Sequence, residues 1–409
     1  MADLEALPSE ALDQLSRIGR ADLVIGIPSY ENAGTIGHVL RMAAQGAVRY
    51  FPGLKTVIMN SDGNSFDGTR QVALGTPMPE GVQVIATTYQ GPSGKGSAFR
   101  AIFRAAELLG ARASVVVDSD LRSITPEWIK LLASPILEQG YDFVAPYYSR
   151  HKHDATITNH IAYPLTRALY GWQVRQPIGG DFGYSGALAS RYLQKDVWAS
   201  DVARYGIDIW MTTTALNEGF KVCQACLGAK VHDAKDPALS LGPMFAQVVG
   251  TLFSLMETYH PNWRRVEGSQ PVPRYGPPLE VEPEAIPVTL PALIAKLQAG
   301  IREFGDVWEA ILSPPSRAAM ERLLAQDPAL FAFPAVDWVH IVYDFAAAHH
   351  RSSLNRGQVI AALVPLYYGR AAGFAAETRE MTTAQAEAVV EAQARLFETM
   401  KPYLIDRWG

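Results

Sequence analysis

The sequence predicts an α/β protein: a mostly parallel, Rossmann-like sheet followed by a mainly α-helical C-terminal region. Three observations lead there. Short apolar runs rich in β-branched residues each enter a polar, often glycine-bearing loop and then a helix, which is the grammar of a parallel sheet. That repeat stops near Ser240, and beyond it the sequence shows long apolar-periodic helices around one proline-rich connector, Pro271 to Pro287. Finally, 409 residues are enough for two cores, so the expected domains are 1–240 and 241–409.

Met1 to Arg20 alternates acids with small apolar residues and reads as a leading helix, without the basic-then-apolar order of a signal peptide. Leu23–Ile27 is the first strand; Pro28-Ser29-Tyr30-Glu31-Asn32-Ala33-Gly34 is its loop, and a helix runs from about Thr35 to Gly46. Thr56–Met59 repeats the unit, with Asn60 to Thr69 as turn and helix start. Val82–Ala86 leads to Gly91-Pro92-Ser93-Gly94-Lys95-Gly96-Ser97 and a helix through Leu109. Three consecutive valines, Val115–Val117, form a buried strand that stops at Asp118-Ser119-Asp120. Ser123-Ile124-Thr125-Pro126 reads as a cap and a helix with proline in its first turn. Tyr141–Tyr147 is a strand, Arg150-His151-Lys152-His153-Asp154 a polar lead-in, and Ile157–Leu169 a helix. Gln176 to Gly183 reads as a loop, Asp208 as the start of a helix, and Lys221–Leu227 as a strand leading to Ala229-Lys230-Val231-His232.

Composition excludes some functions. The chain is 48% hydrophobic and 19% charged with net charge −5, and it has no run of Lys and Arg, so a nucleic-acid partner is not expected. Val359–Tyr368, interrupted by Pro365, is too short to span a bilayer, so the expectation is a soluble, cytoplasmic protein without a membrane partner. Cys223 and Cys226 have C-x-x-C spacing, but no second pair completes a zinc site, and they read as small apolar side chains in a strand.

The chemistry centres on Asp118-Ser119-Asp120. Isolated Asp-x-Asp pairs are usually solvated turns, but this one ends an apolar strand, where an open α/β sheet places its ligands. Carboxylates there suit Mg²⁺ or Mn²⁺ held against a diphosphate. Glycines around Lys95 at a helix start can cradle phosphate, although the spacing is not that of a P-loop. A helix would place Asp154 and Thr158 on one face, beside Arg150, which could grip a carboxylate. His151 and His153 beside Asp154 resemble a metal cluster or a solvated face. Gly179-Gly180-Asp181 lets backbone approach a ligand with a carboxylate adjacent, or forms a capped turn. Asp208 either caps its helix or faces the site. His232, at a strand end, could complete the coordination begun by Asp120.

Taken together, Pro28-Ser29-Tyr30-Glu31, Asp62 with Asp67-Gly68-Thr69, Gly94-Lys95-Gly96, Asp118-Ser119-Asp120, Gln176-Pro177-Ile178-Gly179-Gly180-Asp181 and His232 resemble the GT-A glycosyltransferases. More narrowly they look like the retaining mannosylglycerate and glucosyl-3-phosphoglycerate synthases. Ile178 and Asp181 replace a leucine and a glutamate of that pattern, and Pro237, Leu241-Gly242 and Met244 keep its later spacing. The resemblance implies a GT-A nucleotide-sugar domain and a metal-dependent hexosyltransferase. It places Mg²⁺ or Mn²⁺ on Asp120 and His232, and the nucleotide sugar on Pro28, Tyr30, Glu31, Asp62, Lys95, Asp118 and Ser119. Arg150, Asp154, Thr158, Gly180 and Met244 would bind the acceptor. Backbone near Ile178 and Gly179 would steady an oxocarbenium-like sugar, with Asp181 or Asp208 orienting its hydroxyls.

UDP-glucose or GDP-mannose is the implied donor. For the acceptor, Ala155-Thr156-Ile157-Thr158-Asn159 occupies the stretch where the phosphoglycerate enzymes carry a phosphate-binding arginine, so D-glycerate is favoured over 3-phosphoglycerate. His151, Lys152 and His153 could supply positive charge from another direction. A glycosylglycerate compatible solute would be the product, and the helical region offers a surface for a homo-oligomer. The rivals are an inverting GT-A transferase with Asp181 or Asp208 as base, a sugar-1-phosphate nucleotidyltransferase, and a binding module without turnover.

Overall fold

The computed structural model describes residues 6–231, 237–277, 283, 285–351 and 353–409, without the side chains of 237–240. Contacts divide the chain into two compact units. The first comprises Met1–Ser149, Gln176–Ala234 and Val272–Val281; the second comprises Arg150–Arg175, Lys235–Pro271 and Glu282–Gly409.

The strands are β1 (Leu23–Ser29), β2 (Thr56–Asp62), β3 (Val82–Thr88), β4 (Ala113–Val116), β5 (Phe143–Ser149), β6 (Trp172–Gln173), β7 (Phe182–Ser185), β8 (Val222–Ala229), β9 (Gln270–Pro271) and β10 (Arg274–Tyr275). In the first unit, eight of them form one sheet in the order β10-β8-β5-β7-β4-β1-β2-β3. All its pairings are parallel except the two made by β7, which runs antiparallel between β4 and β5. The α/β fold expected from the repeat is therefore present, with one strand that the repeat does not show. Phe182-Gly183-Tyr184-Ser185 follows a Gly-Gly-Asp turn and reads as loop. Burial makes it a strand: a Cβ on Gly183 would stand 2.1 Å from the Leu132 carbonyl oxygen, so only glycine lets the adjacent helix close on this strand.

β1 and β2 are buried along their whole length, as strands covered on both faces must be. Leu23, Ile25 and Ile27 of β1 join Val39, Leu40 and Ala43 of helix Ile36–Tyr50 in one core, with Trp128, Ile129 and Leu132 of helix Pro126–Gln139. Both strands outrun their apolar runs. Ser29 pairs in register with Asp62, and the Asn60 amide donates to the Ile27 carbonyl at 3.0 Å, so buried polar residues finish the ladder. The leading helix is Ser9–Ile18, shorter than Met1 to Arg20, and residues 1–5 lie outside the described residues.

The second unit contains the helices Pro237–Thr258, Leu290–Ile311, Pro314–Leu324, Ala335–Arg351, Arg356–Glu377, Thr383–Thr399 and Lys401–Trp408. β6 and β9 pair within it. Trp308, Trp338 and Tyr367 are buried, as core residues rather than exposed platforms. Helix Arg356–Glu377 is long and apolar enough to cross a membrane, unlike the ten-residue run visible in sequence, but 83% of its apolar window is buried within the protein.

Where the sequence suggests one boundary at 240/241, Arg150–Arg175 instead groups with the later helices. The reason is a set of contacts spanning about half the chain. The Arg175 guanidinium forms a fork on Glu387 (2.6 and 2.7 Å), Arg167 pairs with Glu391 and Glu398 (2.6 and 2.7 Å), and the Trp338 indole donates to the His160 carbonyl at 2.7 Å.

Candidate active site

The loops after β1, β2 and β4 meet at the C-terminal edge of the first unit's sheet. β1 has β2 on one side and β4 on the other, which makes this a topological switch point. Asn32 ties the loops together. Its side-chain oxygen accepts from Tyr30 N (3.0 Å) and Ser119 Oγ (2.8 Å), and its N–H donates to Thr69 Oγ1 (2.9 Å). Thr35 Oγ1 adds a bond to the Ser119 carbonyl at 2.8 Å.

Asp118 lies between two ammonium groups. Lys95 Nζ reaches its Oδ1 at 2.8 Å and Lys230 Nζ its Oδ2 at 2.7 Å. Lys230 also donates to Asp181 Oδ2 (2.8 Å) and the Gly179 carbonyl (2.9 Å), and Lys95 lies 3.6 Å from Asp208 Oδ1. Two lysines and three aspartates therefore form one buried charge network. Burial acts to raise the Asp118 carboxyl, but Lys230 and Lys95 outweigh it and hold the group well below the usual range. Burial acts to lower Lys95, yet Asp118 and Asp208 hold it above the ordinary lysine range. Asp181 and Asp208 are both pushed up, chiefly by burial.

Lys230 is the residue that sequence reading missed. It is two positions before His232 and continues a strand, so nothing local distinguishes it; its meaning comes from β8 lying next to β5, which adjoins the strand that follows Asp181. Lys95, expected to face phosphate, is turned onto carboxylates. The Lys95 helix closes on the chain only because Gly96 lacks a side chain: a Cβ would stand 1.8 Å from the Val202 carbonyl oxygen.

The two candidate catalytic carboxylates separate. Asp181 is fully buried, with Oδ1 accepting from the Asp118 N–H at 2.8 Å and Oδ2 accepting from Lys230 and the Tyr148 hydroxyl. Three protein donors thus fill most of the acceptor capacity of this buried carboxylate. Asp208 is buried too; its Oδ1 accepts no hydrogen bond among the described residues but lies 3.6 Å from the Lys95 ammonium. Ile178 is half-buried, and the Gly179 carbonyl points to Lys230.

Asp62, expected to contact nucleotide, is occupied by its own loop: Oδ1 accepts from Ser65 N (2.7 Å), and Oδ2 from Ser29 Oγ and Ser65 Oγ (both 2.7 Å). Glu31 Oε1 accepts from Phe66 N at 2.7 Å. Pro28 is buried in β1 and Tyr30 is exposed. Asp120 is half-buried, and its carboxylate has no partner among the described residues. The chain beside it is tied to the end of β8, with Arg122 N donating to the Val231 carbonyl and Val231 N to Ser123 Oγ, both at 2.9 Å. His232 lies outside the described residues, among which no group of three or more His, Cys, Asp or Glu side chains could hold a metal. Cys223 and Cys226 are buried in β8 as expected.

Gly180, the one candidate acceptor residue in the first unit, has φ +88°, and a Cβ there would stand 2.4 Å from Asp118 Oδ2 and 3.0 Å from Lys230 Nζ. Gly180→Ala should therefore cost about 2 kcal/mol or more in chemical denaturation, and a loss below about 0.5 kcal/mol would contradict this packing.

Arg150, Asp154, Thr158 and Met244 lie in the second unit. Asp154 and Thr158 do not share a helix face, because Asp154 sits in a turn and Ala155 takes φ +51° before the chain becomes helical. The Asp154 side chain caps that turn, Oδ1 accepting from Ala155 N at 2.7 Å, while Oδ2 holds Arg150 Nε at 2.7 Å. Thr158 is buried at the start of a π-helical turn, and Met244 lies half-buried in helix Pro237–Thr258. The groups that could supply positive charge to a phosphate from another direction have partners within the second unit. Lys152 Nζ donates to the carbonyls of Thr378, Arg379 and Met381 at 2.7, 2.8 and 2.6 Å. His151 Nδ1 accepts from Ile286 N at 3.3 Å. Burial, with the charges of His151 and Lys152, pulls His153 down to about 4, so it is neutral at pH 7.

The unfolded chain, with histidine near 6.5, takes up that proton first, so His153 removes stability as pH falls from about 6.5 to 4. Discounted for partial exposure, the loss is about 1–2 kcal/mol. Denaturation at pH 7 and 4.5 should show a smaller difference for His153→Gln than for the wild type; equal differences would contradict this burial.

Comparison with known proteins gives a limited likeness. No family model matches the chain. No curated protein matches it either. Among solved structures it is similar to glucosyl-3-phosphoglycerate synthase from Mycobacterium tuberculosis in complex with Mn²⁺, UDP-glucose and phosphoglyceric acid, at 21% identity and TM-score 0.45, covering 59% of this chain and 82% of that one. The same enzyme with Mg²⁺ and UDP gives 22% identity and TM-score 0.45 over 60% and 83% of the chains. A mycobacterial protein without a stated activity gives 24% identity and TM-score 0.43 over 59% and 77%.

Proposed function

We propose that the chain is a GT-A glycosyltransferase that moves a hexose from a nucleotide-diphosphate sugar to D-glycerate with retention of configuration. The observation that carries this is the lysine–aspartate network at the end of β4, next to an Asp120 carboxylate that has no partner among the described residues. Mg²⁺ or Mn²⁺ fits such a place, since these ions are held by one or two carboxylates together with substrate phosphates. Asp120 would hold the ion, with His232 as the second proposed ligand. When bound, the ion supplies neutralisation of charge on the departing diphosphate.

The protein's own residues do the positioning. Lys230 and Asp181 fix Asp118 and the Gly179 carbonyl, so the sugar meets a preorganised wall. Asp208, held beside Lys95, would orient a sugar hydroxyl. Lys95, between Asp118 and Asp208, holds the two carboxylates apart in register. This is catalysis by orientation and electrostatics, without a covalent step.

For the acceptor, the engaged Lys152, the neutral His153 and the Arg150–Asp154 pair favour an unphosphorylated glycerate, because each of these groups is already held or uncharged. His153 and Thr156 also line a cavity of about 30 Å³ whose other walls are mostly apolar. Purified protein with Mg²⁺ or Mn²⁺, UDP-glucose or GDP-mannose, and D-glycerate or 3-phosphoglycerate tests the reading through released nucleotide and product anomer. Turnover with glycerate and a retained anomer is expected. Preference for 3-phosphoglycerate would overturn the acceptor assignment, an inverted anomer the mechanism, and silence with every pair the function.

A further inference from the structure

We propose that Gln176 and Thr212 are positioning residues that aim the Ile178–Gly179 backbone at the transferred sugar; this rests on the glycosyltransferase reading above. Each acts through the loop rather than on the substrate. Both side chains are buried, at 4% and 0% exposure, and from Gln176 to Asp181 only Ile178 is not fully buried.

Gln176 holds the entry of the loop. Its amide oxygen accepts from Tyr148 N and its amide nitrogen donates to the Tyr148 carbonyl, both at 3.2 Å. A facing residue in an antiparallel ladder exchanges the same two bonds. β7 pairs with β5 only at Phe143 and Val144, so the Gln176 side chain continues the ladder beyond the end of that pairing. The chain leaves the first unit after Ser149 and returns at Gln176, so this amide joins exit and return. The returning loop has no room to slide, because a Cβ on Gly179 would stand 2.1 Å from Pro146 Cγ in β5.

Thr212 holds the next peptide. It lies one turn after Asp208 in helix Ile207–Asn217, so the two share a face. Thr212 Oγ1 donates to the Pro177 carbonyl at 2.7 Å, and because the peptide is planar this also fixes the direction of the Ile178 N–H. Lys230 fixes the Gly179 carbonyl at 2.9 Å in the same way. The Ile178–Gly179 peptide is therefore clamped from both sides, and the helix that carries Asp208 also sets this backbone.

Initial rates of the purified full chain with Mg²⁺, UDP-glucose or GDP-mannose and D-glycerate, beside calorimetric titration with UDP or GDP, test this. Gln176→Met and Thr212→Val should each lower kcat about ten- to hundredfold, since a shift of about 1 Å at a reacting centre costs that much, while nucleotide affinity stays within about twofold. Thr212→Ser keeps the hydroxyl and should restore kcat. Should Gln176→Met fail to fold, the Thr212 pair decides. A kcat within about twofold of the wild type in the folded variants, nucleotide binding that weakens in step with kcat, or Thr212→Ser as slow as Thr212→Val would overturn the proposal and leave the glycosyltransferase reading in place. A wild-type chain without turnover would overturn that reading and the proposal with it.

Discussion

Lys230→Met should lower the stability of the sheet unit by about 3–5 kcal/mol and abolish turnover, because it leaves the buried Asp181 carboxylate without its counter-ion, while Asp118 keeps Lys95. Lys230 is 5% exposed and Asp181 0%, so water cannot take over. Removing one partner of a buried pair costs far more than removing both, since the charge left behind is uncompensated. The double change Lys230→Met with Asp181→Asn should therefore recover part of the loss. Urea denaturation measures both. A single-variant loss under about 1 kcal/mol would mean that the network is not the buried unit described.

Asp120→Asn should behave in the opposite way. Its carboxylate makes no hydrogen bond among the described residues, so stability should move by no more than about 0.5 kcal/mol. Turnover should fall at least about a hundredfold, because the change removes a ligand charge from the proposed ion. Initial rates across a Mg²⁺ or Mn²⁺ titration, alongside a thermal melt, separate the two effects. Full activity in the variant would remove Asp120 from the proposed metal site. A large loss of stability would instead make it a structural residue. The contrast between Lys230 and Asp120 follows from solvation: one charge is enclosed by protein partners, the other has none among the described residues.

The residues that the sequence marks correctly are those whose meaning is local. An apolar run can be read as a strand because its own side chains need burial, and Val115–Val117 ending at Asp118 does so without help from distant residues. The long helices beyond Ser240 are legible for the same reason, whereas β10, which joins the main sheet beside β8, is not. Trp308, Trp338 and Tyr367 fall in the core as their apolar periodicity implies.

Roles set by partners far along the chain are not legible. Asp181 and Asp208 look alike in sequence, each next to glycine or at a helix start. Only the fold gives Asp181 three protein donors and Asp208 a lysine 3.6 Å from an oxygen that accepts no hydrogen bond among the described residues. Lys230 gains its place 112 residues from Asp118, and Lys152 is spent on carbonyls 226 to 229 residues away. Arg150–Arg175 joins the helical unit through ion pairs to Glu387, Glu391 and Glu398 that no local pattern announces. The sequence by itself thus determined the layers of the fold and where its sheet ends in carboxylates, because hydrophobic burial follows local periodicity. Tertiary structure alone decided which charged groups are consumed and which stay open, because a charge is neutralised by whatever lies within a few ångströms, however distant in the chain.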